Sequence, residues 1–466
     1  MKHRIAVDTG GTFTDVVVAN QDGALTVGKA PSTPERSSGG VIEGLKDAAR
    51  NMSLDLDSLI ASTDVLIYGT TWATNAIITG STAKTAILLT EGFPDILVYR
   101  QGGKLHPFEL QIDPLKPYVP RRLTVEVPER INAEGGIERA LDESTVCDEL
   151  RRLAGQQVEA VAVCLLWSIK NPAHELRIGE LIEEIMPGVP YTLSHQLNPI
   201  LREYPRASST AIDASLKPRM QRHLGELQAD LADIGFKGEL LVSTVSGGVM
   251  HVEDVAGRPI YMVKSGPAMA PRAGLAYAEA ESLSQDVLVV DTGGTTFDVS
   301  LVRGGEVKFT RETWLGPLFY GHNLGLSSVD VRSVGAGGGS IAWIDSGGLL
   351  RVGPGSAGAI PGPACYGRGG EAPTVTDAAV VLGYIDPAHF LGGEMSLDKE
   401  AAEAAIWNVV ADPLGLDVTQ AAYGIHGIVN ENMAAAAKVY VTEHGEDPGY
   451  YTLVAFGGCG PVHAVD

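Results

Sequence analysis

The chain has 466 residues, enough for two to four domains with cores of their own, and its 44% hydrophobic and 20% charged residues are those of a globular protein. With 35 Lys and Arg against 57 Asp and Glu, the net charge of −22 argues against sequence-independent nucleic-acid binding, which relies on cationic side chains against phosphate. A phosphate ligand would have to be held locally, by backbone N–H groups and a metal ion. No apolar run approaches membrane-spanning length, and the N-terminus enters a strand without a signal-peptide pattern. Cys147, Cys164, Cys365 and Cys459 have neither zinc-like spacing nor a paired look. A cytoplasmic protein is expected.

In chain order, RIAVDTGGTFTDVVVANQDG followed by ALTVGKA predicts three strands joined by a glycine turn and a hairpin turn. Thr33-Pro34 opens a helix with Val41, Leu45 and Ala48 at helical spacing. VLIYG and TAILLT read as buried strands around GTTWATNAIITG. A helix with Val146, Leu150 and Leu153 on one face follows, then the strand AVAVCLLW, then a helix capped by Asn171-Pro172 and running to Met186. Strands alternating with helices indicate an α/β domain. The expected organisation is a first lobe over 1–195, a connecting helical and mixed segment over 196–285, and a second lobe over 286–466.

The opening stretch is repeated. LVVDTGGTTFDVSLVRGGE, 283 residues on, lays Asp291 on Asp8, Gly293 and Gly294 on Gly10 and Gly11, Thr295 on Thr12, and Asp298 on Asp15. Val7, Thr9 and Val16 also recur, as Val290, Thr292 and Val299. One Gly-Gly turn is usually only a turn. Two copies with the same strands and acids point to a functional device.

Such a turn suits nucleotide phosphates. Glycines let N–H groups approach phosphate oxygens, and a carboxylate at a strand end can hold magnesium directly or through water. Asp8 and Asp291 are therefore the candidate catalytic and magnesium-binding residues. Asp15 and Asp298 serve as outer magnesium groups, as a base, or simply as hairpin residues. Thr9, Gly10, Gly11, Thr12, Thr292, Gly293, Gly294 and Thr295 are the candidate phosphate contacts. Two such turns, one per lobe, can clamp a triphosphate. That is the two-lobed α/β ATPase architecture of actin and the sugar kinases, with duplicated ribonuclease H-like domains; no P-loop pattern occurs. Two further glycine loops are candidates for the adenosine side: SVGAGGGSIA, with Gly337, Gly338 and Gly339, and VAFGGCGPVHA, with Gly457 and Gly458. Thr70, Thr71, Thr74 and Asn75 either line the substrate cleft or form a polar helix start. Cys365 reads as a small buried thiol, Asp377 as a helix N-cap, and His106, His322 and His463 lack the spacing of a metal site.

Taken together, AVDTGGTFTDVV, YGTTWATNAI, LNPILREYPRASSTAIDASLKP, KSGPA, VGAGGGSIAWID and SAGAIPGPACYGRGGEAPTVTDAAVVLGY resemble the hydantoinase A/5-oxoprolinase/acetone carboxylase group over essentially the whole chain. The resemblance implies ATP-dependent chemistry at a carbonyl: hydrolysis of a cyclic amide such as a hydantoin or 5-oxoproline, through phosphoryl transfer to its oxygen. The alternative is a ketone carboxylase subunit of the acetone or acetophenone type. A nucleotide-gated chaperone or activator is a third reading; it lacks a peptide-binding domain or clustered cysteines. The resemblance also implies ATP and Mg2+ as cofactors, a small-molecule substrate, a separately encoded second subunit of hydantoinase B type, and an oligomer. The chain departs from the group at Ala268-Met269-Ala270-Pro271 and at Cys459, and HNLGLSSVDVRSVG is closer to the carboxylase branch. Members of the group continue past the last glycine loop, so a truncated chain with an incomplete second lobe is expected.

Overall fold

The computed structural model describes residues 2–10, 13–32, 37–102, 108, 116–316, 320–393 and 395–465. The chain divides into two compact units, Met1–Gly266 with Phe309–Ser328, and Pro267–Lys308 with Val329–Asp466.

In the first unit, β1 (His3–Thr9), β2 (Phe13–Ala19) and β3 (Leu25–Pro31) form the expected antiparallel meander. Alternation decides the faces: Ile5 and Val7 are buried on β1, Val16 and Val18 on β2. Helix α1 (Ser37–Asn51) covers that face with Val41, Leu45 and Ala48. It can approach closely because Gly28 and Gly44 carry no side chain; a Cβ on Gly28 would lie 2.4 Å from the Gly44 carbonyl. The sequence places the start of this helix at Thr33-Pro34, which lies outside the described residues. β4 (Thr63–Thr70) then pairs parallel to β1, and helix α2 (Trp72–Ile78) follows it. Later in the chain β9 (Glu239–Ser243) adds parallel to β4, with β10 (Val249–His251) antiparallel at the edge. The order is β3-β2-β1-β4-β9-β10.

Between β4 and β9 the chain builds a second sheet. β5 (Thr85–Thr90), β6 (Thr124–Val127), β7 (Ala160–Cys164) and β8 (Tyr191–Leu193) are all parallel, in the order β8-β7-β5-β6. β5 and β7 are buried throughout, as strands covered on both faces must be. Helix α3 (Glu143–Gly155) buries Val146, Leu150 and Leu153, and α4 (Ala173–Ile185) begins where Asn171 Oδ1 accepts from the Ala173 amide, as the sequence predicts. Helix α5 (Glu203–Asp233) serves both sheets. Its first half puts Tyr204, Ala207, Ala211 and Ala214 into the core of the second sheet. Its second half puts Met220, Leu224, Leu227 and Leu231 into the core of the first.

Helix α6 (Ser265–Ala280) leads into the second unit, which repeats the plan. β11 (Val287–Thr292) and β12 (Phe297–Arg303) are the repeated hairpin. β13 (Glu306–Val307) and β14 (Val331–Val334) both pair with the outer edge of β12. α7 (Val375–Val381) and α8 (Val418–Glu443) pack into the core with Leu288, Val290, Val299 and Leu301. β15 (Thr452–Phe456) lies parallel to β11 and leads into the short helix α9 (Gly460–His463). Each unit therefore has an antiparallel strand trio whose first member pairs parallel with a later strand, which is the ribonuclease H-like arrangement expected from the repeat.

Two histidines of the first unit, His223 buried and His322 partly buried, are held as neutral rings. Burial lowers His223 to about 4, and burial followed by the nearby Arg100 charge lowers His322 to about 4. The unfolded chain binds more protons than the folded one between these values and the ordinary 6.5, so stability falls as pH drops through that window. The loss expected between pH 7 and pH 5 is about 2 kcal/mol for each ring. Urea midpoints measured at the two pH values should show it, and His223→Gln should remove roughly half of the histidine share; a midpoint insensitive to pH contradicts the assignment.

Candidate functional site

The first glycine turn sits at the end of β1. The Gly10 amide donates to the Phe13 carbonyl at 2.9 Å and closes the hairpin. Gly11 and Thr12 lie outside the described residues. Register sets Asp8 directly opposite Asp15 and beside Gly69, and Thr9 beside Thr70. Asp15 is compensated by Lys29 on β3, with Nζ 2.7 Å from Oδ1. Asp8 keeps solvent access, yet the surrounding protein desolvates its carboxylate and Asp15 repels it. Both effects raise its pKa above the ordinary value, burial more than repulsion. A cation would relieve both.

The surroundings fit such an ion. A Cβ on Gly69 would lie 3.2 Å from Ser243 Oγ and 3.5 Å from Asp8 Oδ1, so this glycine keeps a small volume open between a hydroxyl and a carboxylate. The sequence reading did not single out Ser243; nothing in a strand end reading ELLVS marks it. Ser243 Oγ in turn donates to the buried Ser265 Oγ at 3.2 Å.

The threonines of GTTWATNAI are brought to this edge, where several already have partners. Thr70 Oγ1 accepts from the Trp72 amide at 3.1 Å, and Thr71 Oγ1 accepts from Asn75 Nδ2 at 3.2 Å. The Thr71 amide donates to the Thr9 carbonyl. Thr74 Oγ1 accepts from the amide of Lys264, a residue in the left-handed region at φ 58°.

The second turn repeats the closing bond of the first. The Gly293 amide donates to the Thr296 carbonyl at 3.0 Å, and Asp291 stands opposite Asp298. Here both further glycine loops close on the turn. The amide of Gly338 donates to the Gly293 carbonyl at 3.1 Å and that of Gly339 to the Gly294 carbonyl. The Cys459 amide donates to the Thr292 carbonyl at 3.0 Å. Side chains are excluded sterically at several of these positions. A Cβ on Gly337 would lie 2.6 Å from the Gly293 carbonyl, and one on Gly338 2.6 Å from Cys459 Sγ. One on Gly457, at φ 86°, would lie 2.3 Å from the Thr292 carbonyl and 2.4 Å from Asp291 Oδ1. The backbone N–H groups of Gly338 and Gly339 thus hold the loops together. Those of Gly294 and Thr295 make no hydrogen bond among the described residues, and they remain for an anion. Thr295 Oγ1 and Ser356 Oγ are 3.4 Å apart, and Thr376 Oγ1 donates to the Gly338 carbonyl. Ser356 and Thr376 were not picked out from the sequence, although both lie in the long SAGAIPGPACYGRGGEAPTVTDA run.

Other candidates resolve as structure. Cys365 is fully buried, and burial, with Asp377 beside it, pushes its thiol far up, which removes it as a nucleophile. Asp377 is not the N-cap of α7, as the sequence suggests. Thr374 is the N-cap, and Asp377 is the reciprocal partner three residues on, accepting from the Thr374, Ala364 and Cys365 amides. His322 packs edge-on against Tyr118 in the first unit, while His463 bonds Asn430 in the second; His106 is outside the described residues. Among the described residues no group of three or more His, Cys, Asp or Glu could hold a metal ion. No described helix is long and apolar enough to cross a membrane.

Comparison with known proteins agrees with this layout. Residues 4–186 match the hydantoinase/oxoprolinase N-terminal region, and residues 206–466 match the hydantoinase/oxoprolinase model itself. This chain belongs to the hydantoinase/oxoprolinase family. It is 37% identical, over its whole length, to the caprolactamase subunit alpha of Pseudomonas jessenii, and covers 66% of that protein. It is 38% identical over 98% of its length to the acetophenone carboxylase gamma subunit of Aromatoleum aromaticum, covering 64%. The chain thus spans just under two thirds of these relatives. The crystal structure of the ATP-dependent caprolactamase from P. jessenii superposes with a TM-score of 0.85 at 36% identity, over 99% of this chain and 66% of that one.

Two substitutions test the geometry. Gly457→Ala forces a Cβ into Asp291 and the Thr292 carbonyl, and should cost on the order of 2–3 kcal/mol in chemical denaturation. Asp8→Asn removes a carboxylate whose ionised form the fold disfavours, so in metal-free buffer it should raise the melting temperature. A lowered one would show that the Asp8 charge is already compensated.

Proposed function

We propose that this chain is the ATP-using component of an enzyme that hydrolyses a cyclic amide of the hydantoin, 5-oxoproline or lactam type. The observation that carries the reading is the duplicated Asp-Thr-Gly-Gly-Thr hairpin in a chain 37% identical throughout to a caprolactamase subunit. Amide carbonyls are poor electrophiles. Transfer of the γ-phosphoryl group of ATP to the carbonyl oxygen makes the carbon attackable. Water then adds to that carbon, the nitrogen leaves with a proton, and phosphate is released by hydrolysis. The protein's share of this work is positioning and charge compensation. Gly294 and Thr295 donate backbone N–H groups to phosphate oxygens, with Gly11 and Thr12 as their counterparts in the first turn. Asp8 in the first turn and Asp291 in the second are the residues that would hold magnesium, directly or through water, and the ion would supply positive charge against the phosphates. Asp15, opposite Asp8, repels its charge, which a bound cation would offset. Relatives named as subunits favour a second, separately encoded subunit of hydantoinase B type.

A second reading, ketone carboxylation, draws on the 38% identity to an acetophenone carboxylase subunit. There the enolate oxygen is phosphorylated and bicarbonate supplies the carbon. ADP release should be measured with the partner subunit present, using hydantoin, 5-oxoproline, caprolactam and methyl ketones, with and without bicarbonate. Amide-dependent, bicarbonate-independent turnover is expected; bicarbonate-dependent consumption of a ketone overturns the first reading in favour of the second. Asp8→Asn and Asp291→Asn should each reduce ATP turnover at least a hundredfold with the fold intact, and near-normal turnover in either removes that carboxylate from the site.

A further inference from the structure

Directly beneath the first turn lies a buried polar contact with no part in the chemistry above. Tyr68, on β4, is fully buried, and its hydroxyl is 3.0 Å from His223 Nε2 on α5. The His223 ring stacks on Trp72 of α2, with centroids 5.9 Å apart and planes 15° apart. Three elements of the first unit therefore meet at the His223 ring. Burial holds both partners neutral: Tyr68 is pushed up to about 12 and His223 down to about 4.

Register pairs Val7 with Tyr68 and Thr9 with Thr70, so Tyr68, Thr9 and Thr70 share one buried face of the sheet, with Tyr68 diagonal to Thr9. Thr70 is already engaged by the Trp72 amide. Thr9 Oγ1 is buried and makes no hydrogen bond among the described residues. A buried hydroxyl left short of a bond is unfavourable, and a small inward movement of Thr9 would correct it. Thr9 immediately precedes Gly10, whose amide closes the turn.

We propose that Tyr68 is a positioning residue for the first glycine turn: anchored by His223, it receives the Thr9 hydroxyl and so fixes the turn that takes the phosphate. This rests on the reading of that turn as a nucleotide site. A core pair with no such role would affect stability alone.

The test is the MgATP dissociation constant of the purified chain, by calorimetry, alongside its melting temperature. Tyr68→Phe and Thr9→Val should each weaken MgATP about tenfold. If Tyr68 acts through Thr9, the double variant should be no more than about threefold weaker than either single one. An additive loss near a hundredfold overturns the proposal, as does wild-type affinity in a Tyr68→Phe protein that merely melts earlier. Should Tyr68→Phe fail to fold, Thr9→Ser against Thr9→Val decides. Serine keeps the hydroxyl and should retain affinity, whereas equal losses overturn the role. Absence of MgATP binding by the wild-type chain would instead sink the nucleotide reading, and this proposal with it.

Discussion

Strand pairing places Asp8 opposite Asp15 and Asp291 opposite Asp298, and like charges opposed across a ladder repel. A fold that only needed a stable hairpin would avoid this arrangement, yet it is built twice. In the first unit Lys29 offsets the outer acid and leaves the inner one raised in pKa. In the second, the residue across from Asp298 on the next strand is Ser333. The remaining design follows from this constraint. Each inner carboxylate sits at a strand end next to a glycine turn, and at Asp8 the raised pKa leaves a charge that a bound cation would offset.

The second turn adds a steric constraint. Two further glycine-bearing segments converge on Thr292, Gly293 and Gly294, and they bond the turn through backbone atoms. Backbone carbonyls 2.6 Å and 2.3 Å from an imagined Cβ leave no room for any residue but glycine at positions 337 and 457. Close backbone packing of this kind is rigid, because there are no side-chain rotamers to adjust. Gly294 and Thr295 project from that rigid base with their amides available. The loops from 337 and 457 thus act as the foundation of an anion site.

Much of this was legible in the sequence, and the reasons are local. The alternation of Ile5, Val7, Val16 and Val18 fixed the faces of the first hairpin, and the exact repetition of Asp, Gly and Thr revealed the second. Val41, Leu45 and Ala48, like Val146, Leu150 and Leu153, carry helical period on a single buried face. What escaped the reading is equally physical. Helix α5 is buried nearly all round over Tyr204–Leu216, so it has no polar face to give a period, and Pro205 and Pro218 argue locally against a helix. Ser243, Ser356 and Thr376 reach the turns through tertiary packing, and a lone hydroxyl carries no signal of that. Asp377 was placed one role away from its own because a reciprocal cap needs both partners to be seen, and Thr374 lies three residues earlier.

Helix α5 also bears on how the first unit comes apart. One half of this 31-residue helix is mortared into the parallel sheet and the other into the mixed sheet. Neither sheet can lose its core without stripping the same rod from the other. Local opening in this region is therefore coupled across both sheets, and the edge that carries Asp8 inherits the rigidity of a layer it never touches.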